Sequence, residues 1–585
     1  MTGYREIPES GTANQFNVTN LSESTTYYVD ANVVNNRGTA RSTQANFTTY
    51  GKKITNNFSI VNNVVSGTNT ATLTKMGTAP DITIEYSLDN TNWNVWNPDG
   101  NGVRTVTIPS NGRLYLRGNN PNGFCPSNTD ANSYRFTCAN KYALAGDIRS
   151  LISHYESDNL PAGAFASLFN GSTTLDNASY LRLHALKPGI RAYAFMFYGC
   201  TSLRLAPHII PVTNFVNSNN SDGRCCTSMF YGCTSLTTMP IISATGFGSQ
   251  TCYEMFRGCT ALTKQWATDN PSDSTTRKIQ FNISSDNGQT HTFYGMFHGC
   301  ANLIDASGIT ATKTTDWHTS VFYNMFYDCS SLKSAPNITL GSFASDTKYH
   351  CQQMFYNCKK LTSVPNIQLT ATTVYQQTYK NMFRGCTRLQ TAPEIFATTL
   401  YADQNNGSLA GMFYGCSSLN YIRVYFTDWN DGLYTNSWTQ GVPETGNFIK
   451  PSELATTKNP YGNGSGSHYI PYGWNVYTQP LLPVPTINDG NSQPVDSNKL
   501  KRTFTLTMDG YSGVRYRVAF DTFLSSPSCS YPIEELDDRG WFSGEGENSK
   551  VEITIIYSAQ QYWMIKVIAA KKGYSPNENC RTGGN

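Results

Sequence analysis

From about residue 160 to residue 430 the apolar positions recur in a repeated motif every 26 to 41 residues and not at a helical or strand period. A Met-Phe pair, two small or polar residues and a cysteine stand together eight times, starting at Met196, Met229, Met255, Met296, Met325, Met354, Met382 and Met412. Successive starts are 33, 26, 41, 29, 29, 28 and 30 residues apart. A ninth copy, SLFNGSTTL at Ser167–Leu175, carries Ser172 where the others carry cysteine. Self-similarity at this period predicts a stacked array, in which each unit buries its apolar face on its neighbours and the end units are atypical.

Each unit has its own punctuation. Before the cysteine stands Gly199, Gly232, Gly258, Gly299, Asp328, Asn357, Gly385 or Gly415, all residue types that tolerate a left-handed backbone. That column predicts a helix stop, and so a short helix ending on each Met-Phe, as in YHCQQMFYN at Tyr349–Asn357. A leucine follows the cysteine by three residues (Leu203, Leu236, Leu262, Leu303, Leu332, Leu361, Leu389, Leu419). Extended stretches such as SAPNITL and SVPNIQL come next, with proline at 207, 240, 336, 365 and 393 opposing helix. One short helix and one short strand per unit predict a leucine-rich-repeat α/β solenoid over residues 146–430.

The flanks alternate apolar and polar residues with period two. ITIEYSLDNTNWNVW and VRTVTIPSNGRLYLRG read as hairpin-rich β-sandwich within 51–145, and residues 1–50 as part of another. LLPVPTINDGNSQP is a linker, beyond which RTFTLTMDGYSGVRYRV and KVEITIIYSAQQYWMIKVIAAKKGY predict a terminal sandwich over 481–585. The expected fold class is thus multidomain, with β-sandwich modules flanking a central leucine-rich-repeat α/β solenoid.

Composition narrows the function. Hydrophobic residues make up 39% and charged residues 14%, with a net charge of +3 and no basic runs, which gives no electrostatic case for nucleic acid or anionic membrane. No apolar stretch approaches the ~20 residues a bilayer helix needs, so no membrane insertion is expected. No basic-then-apolar leader is visible in MTGYREIPESGTANQ.

The chemistry-bearing residues are weighed in turn. Eight of sixteen cysteines occupy the repeat column: Cys200, Cys233, Cys259, Cys300, Cys329, Cys358, Cys386 and Cys416. Zinc needs four converging ligands, usually from close cysteine pairs, and one thiol per unit makes a row instead. The column therefore reads as a structural ladder of buried thiols. Cys125/Cys138 and Cys529/Cys580, each within one flanking module, are the better disulfide candidates, with free thiols as the alternative. His291, His298, His318 and His350 fall at unrelated offsets, and acids such as Asp305, Asp328, Asp346 and Glu394 are scattered singly. GNGSGSH at 462–468 lacks the strand and helix a nucleophile elbow requires. No catalytic residue, cofactor or metal is assigned, and an enzyme is not expected. Aromatics between motif copies suit polar ligands, so Trp266, Trp317 and Tyr349 are the candidate ligand-binding residues; the alternative is that they staple loops to the solenoid.

The repeats resemble the BspA-like leucine-rich-repeat family of surface proteins in Bacteroidales bacteria and their phages. CYEMFRGCTAL (Cys252–Leu262) and MFYGCTSLTTMP (Met229–Pro240) carry the likeness, with WTQGVPETGNFIK and IPYGW resembling the family's closing cap over 431–480. YSLDNTNW and LYLRGNN resemble the β-module that precedes such repeats. Residues 17–49 look like the second half of a fibronectin type III domain, which leads us to expect further strands upstream. MIKVIAAKKGYSPNE is similar to the last strands of Ig-like modules. The resemblance implies a surface-exposed adhesin, on a cell envelope or a virion, that recognises a host-surface glycan or protein. The alternatives are a structural spacer or virion fibre without a ligand, and an accessory part of a larger carbohydrate-active protein.

Overall fold

The computed structural model describes strands within 26–48, residues 54–479 and the strands and adjoining turns within 486–583. Within the central span it leaves out 99–101, 127–130, 154–157, 184–185, 213–222, 266–279, 284–289, 312–316, 344–347, 403–406 and a few single positions.

The array is a solenoid of stacked coils, and it contains no α-helix among the described residues. Two short 3₁₀ turns, Ile148–Leu151 and Asn430–Gly432, are the helical elements there. The expected helix before each cysteine is replaced by a chain of tight turns. In every copy the Met N–H bonds the carbonyl three residues back within its own coil, at 3.0–3.2 Å. The Phe N–H next to it reaches the Met carbonyl of the following coil, at 2.8–2.9 Å from Phe169 through Phe383. Alternate peptide planes thus lie along the solenoid axis, and those between close turns.

The cause is a left-handed residue at every fourth position. Residues 191, 195 and 199 have positive φ, as do 320, 324 and 328, and 349, 353 and 357. An α-helix bonds each N–H to the carbonyl four residues back, a ladder that a recurring left-handed residue breaks. The Gly/Asn/Asp column is indeed left-handed, with φ of 67° at Gly199 and 57° at Asn357, but it is the last of three such positions and not a helix stop.

The extended stretches pair in parallel along the other side of each coil. Gln280–Ile283, Gly308–Ala311, Asn337–Thr339 and Ile367–Gln368 form one sheet, and Tyr421–Arg423, Asn447–Pro451 and Asn475–Gln479 another.

A free-standing sandwich does not precede the solenoid. A six-stranded mixed sheet runs in the order Leu175–Arg182, Tyr142–Asp147, Phe58–Asn62, Arg113–Gly118, Ile84–Ser87, Asn94–Val95. Its strand Tyr142–Asp147 is antiparallel to Phe58–Asn62 and parallel to Leu175–Arg182, which belongs to the degenerate ninth repeat. A three-stranded antiparallel sheet (Tyr134–Cys138, Asn69–Lys75, Val103–Ile108) accompanies it. One hydrophobic core continues from Phe58 to Trp474, so sheet and solenoid are built as a single stack.

Among residues 26–48 the strands make two antiparallel pairs, Thr26–Val29 with Ala45–Thr48 and Asn32–Asn35 with Gly38–Arg41. After the solenoid come two four-stranded antiparallel sheets with a separate core around Phe504, Tyr516, Phe520, Ile565 and Val567. The Ig-like assignment of this part rests on the sequence resemblance alone.

Candidate functional site

Packing accounts for the whole interior of the motif. Every Met, Phe, Cys and Leu of the eight copies is fully buried. The phenylalanines stack ring on ring from Phe169 to Phe413, with centroids 5.2–5.9 Å apart and planes within 13°. Phe58 and Phe136 cover the first ring, and Trp438 covers the last.

Each column cysteine donates its S–H to the carbonyl of the preceding coil's phenylalanine. Cys233 reaches Phe197 at 3.0 Å, Cys329 reaches Phe297 at 3.1 Å and Cys416 reaches Phe383 at 3.1 Å. The same bond is made by Cys200, Cys259, Cys300, Cys358 and Cys386. That carbonyl lies in a transverse peptide plane and already accepts the N–H of its own coil's cysteine, or of Ser172 in the first coil; the thiol satisfies its second lone pair. Cysteine is thus small and apolar and still a donor, which alanine is not. Burial pushes these thiols up, Cys386 to about 12, so they carry no nucleophilic thiolate at neutral pH. Among the described residues no three of His, Cys, Asp and Glu converge as a metal site.

Cys125 and Cys138 are both buried and are not joined in a disulfide. Phe124 packs edge-on to Tyr134 at 6.1 Å, and Cys138 lies four residues further along that strand. The Cys529/Cys580 pair lies outside the residues whose side chains are described.

The aromatic candidates do not gather into one site. Trp266 lies outside the described residues. Trp317 is fully buried, its Nε1 donating to the Thr339 carbonyl at 3.3 Å and its ring 4.9 Å from Phe322, so it pins a loop and is closed to any ligand. Tyr349 is half-buried at a left-handed turn position (φ 65°), edge-on to Tyr323 at 6.4 Å.

Two outward features emerge instead. The first lies within the motif itself, at the residue after Met-Phe: Tyr198, Tyr231, Arg257, His298, Tyr327, Tyr356, Arg384, Tyr414. All are half-buried and stack along the axis. Tyr198 and Tyr231 are 4.7 Å apart, His298 and Tyr327 4.6 Å, Tyr327 and Tyr356 4.5 Å, and Arg384 lies 3.9 Å over Tyr414. A shorter column, Tyr253–Tyr294–Tyr323, runs beside it at 4.6 and 4.8 Å. The ring faces are covered by neighbours, so these columns offer edges and hydroxyls outward. Burial, then the adjacent phenol, raises the Tyr198 and Tyr327 pKa values, which keeps those hydroxyls protonated. His298 is lowered to about 4 by burial and by Arg257. The signal was present in the sequence, since this position is aromatic or cationic in all eight copies.

The second feature is a groove of 880 Å³ near the C-terminal end of the solenoid. Buried Val364, Ile367 and Leu369 form its floor, with Pro393, Phe396 and Tyr421 beside them. Gln368, Thr370, Thr391, Glu394, Asn420, Asn447 and Arg515 bring polar groups to the same space. Glu394 accepts from the Tyr425 hydroxyl at 3.1 Å and pairs with Arg423 at 3.3 Å, which fixes its carboxylate. Phe396 stacks on Tyr425 at 4.5 Å. The Thr370 hydroxyl is the exception: the residue is 7% exposed and its Oγ1 has no hydrogen-bond partner. A buried hydroxyl left unpaired costs about 1–3 kcal/mol, which a water or a ligand oxygen in the groove would recover. No sequence signal marks this groove, because its residues come from four coils and a later sheet.

Compared with known proteins, the chain matches no family model, no curated protein and no solved structure.

Proposed function

We propose that this chain is a non-enzymatic recognition protein that binds a host-surface glycan or protein through its solenoid, with the groove between residues 363 and 447 as the binding site. The unpaired, buried Thr370 hydroxyl inside a ligand-sized cleft carries the reading. Around it, apolar and aromatic walls accompany two asparagines, a glutamine and an oriented carboxylate, a combination suited to a sugar's C–H faces and hydroxyls. On this reading the chain is a BspA-like surface protein of a Bacteroidales envelope or of a phage particle, and the fibronectin-like and Ig-like flanks hold the solenoid outward.

Incubating the whole chain with a glycan array and with host epithelial cells tests this. Binding that is lost in Thr370→Val and Asn420→Ala, with unchanged melting temperature, is the expected result. Silence against both glycans and cells overturns it in favour of a structural spacer.

A further inference from the structure

At the opposite end of the solenoid a concavity of 420 Å³ opens where the six-stranded sheet meets the first coils. Arg113 comes from Arg113–Gly118, and Tyr180 and Arg182 from Leu175–Arg182, strands three places apart in that sheet. Three strand spacings are about 14 Å, a width that two arginine side chains can bracket from opposite walls. Asn56, Ser179 and His208 complete the polar lining. Among the described residues no acid lines this space.

Three observations separate it from an ordinary solvated surface. Arg113 and Arg182 are exposed, and their side chains make no ion pair or hydrogen bond among the described residues. Asp147 is the register partner of Arg182, yet its carboxylate is held by the buried Arg149 guanidinium at 2.7–3.2 Å. Its charge is spent there. Tyr180 is 73% exposed, the most exposed large apolar side chain among the described residues, and its ring lines the cavity.

We infer that this concavity is a second binding site, which takes a carboxylate-bearing sugar residue. A guanidinium fork matches a planar carboxylate with two parallel N–H···O bonds, and two such forks with no acid of their own supply the charge. The free Tyr180 ring offers the flat face that sugar C–H bonds pack on. The inference is independent of the groove near Thr370, which lies at the other end of the array and holds a carboxylate of its own.

Ligand-observed NMR titration of the whole chain tests it, with D-glucuronate and N-acetylneuraminate as probes, D-glucose as the uncharged counterpart and inorganic phosphate as the simple anion. At least one acidic sugar is expected to bind saturably and at least tenfold tighter than glucose. Arg182→Gln and Arg113→Gln should each weaken that binding fivefold or more, and Tyr180→Ala should weaken it as well. All three residues are exposed, so melting temperatures should be unchanged. The inference is overturned if neither acidic sugar binds, if glucose binds equally, if phosphate binds as tightly through the same two arginines, or if the substitutions change nothing.

Discussion

At the residue scale the repeat column shows how backbone conformation selects side chains. Asp328 and Asn357 replace glycine where φ is 57°, and Asn357 Nδ2 donates to Asp328 Oδ1 at 2.9 Å between adjacent coils. Gly299 has φ of 74° and lies one coil before Asp328; a Cβ there would meet nothing closer than 3.8 Å. Gly299→Ala should therefore cost about 1 kcal/mol of left-handed strain, while Gly299→Asn should be nearly neutral. Urea denaturation of the two variants separates them. The thiol ladder makes a sharper prediction. Cys386→Ala removes an S–H donor and leaves a methyl-sized gap, for an expected loss of about 1–2 kcal/mol by the same measurement. His298 supplies the pH dependence. Its folded pKa, about 4, lies below the ordinary 6.5, so the unfolded chain binds the extra proton and this contribution to stability is lost as pH falls from about 6.5 towards 4. Tyrosine already stands at this position in five other coils. His298→Tyr should thus lose less melting temperature than the wild type between pH 7 and pH 5.

At the scale of the coil, burial was legible and backbone geometry was not. The Met, Phe, Cys and Leu positions point inward, as their spacing implies, and SLFNGSTTL forms a genuine coil with Phe169 in the ring stack. The turn chain that replaces the expected helix was illegible because left-handed positions recur on residues with no such preference, Phe195, Tyr349 and Gln377 among them. Period-four turns and a short helix also place the same apolar residues inward, so hydrophobicity alone does not distinguish them. The coil wins because half its amides bond neighbouring coils, which an isolated ten-residue helix cannot match. Far-UV circular dichroism should accordingly lack the paired helical minima. Phe326→Ala, in the middle of the stack, should cost about 3–5 kcal/mol and speed hydrogen exchange at the flanking Phe297 and Phe355 amides, since each coil is held only by its neighbours.

At the scale of the molecule, one apolar core joins the N-terminal sheets to nine phenylalanine-bearing coils and a tryptophan-rich end around Trp429, Trp438 and Trp474. That continuity uses up the motif and leaves recognition to what faces outward. The sequence pointed to the segments between motif copies; the structure buries Trp317 there and opens a groove whose lining residues are far apart in the chain. Such convergence depends on how coils of 28 to 30 residues align, which no single repeat encodes. The central claim is that the repeats build a scaffold and the Thr370 groove does the binding. Isothermal titration calorimetry tests it most directly, using a glycan or receptor found by the binding screen with three chains: wild type, Thr370→Val with Asn420→Ala, and Tyr327→Ser with Tyr356→Ser. The account predicts at least a tenfold weaker Kd, about 1.4 kcal/mol, for the groove variant and less than a twofold change for the tyrosine-column variant. Loss of binding in the tyrosine-column variant, with the groove variant at wild-type affinity, would contradict it.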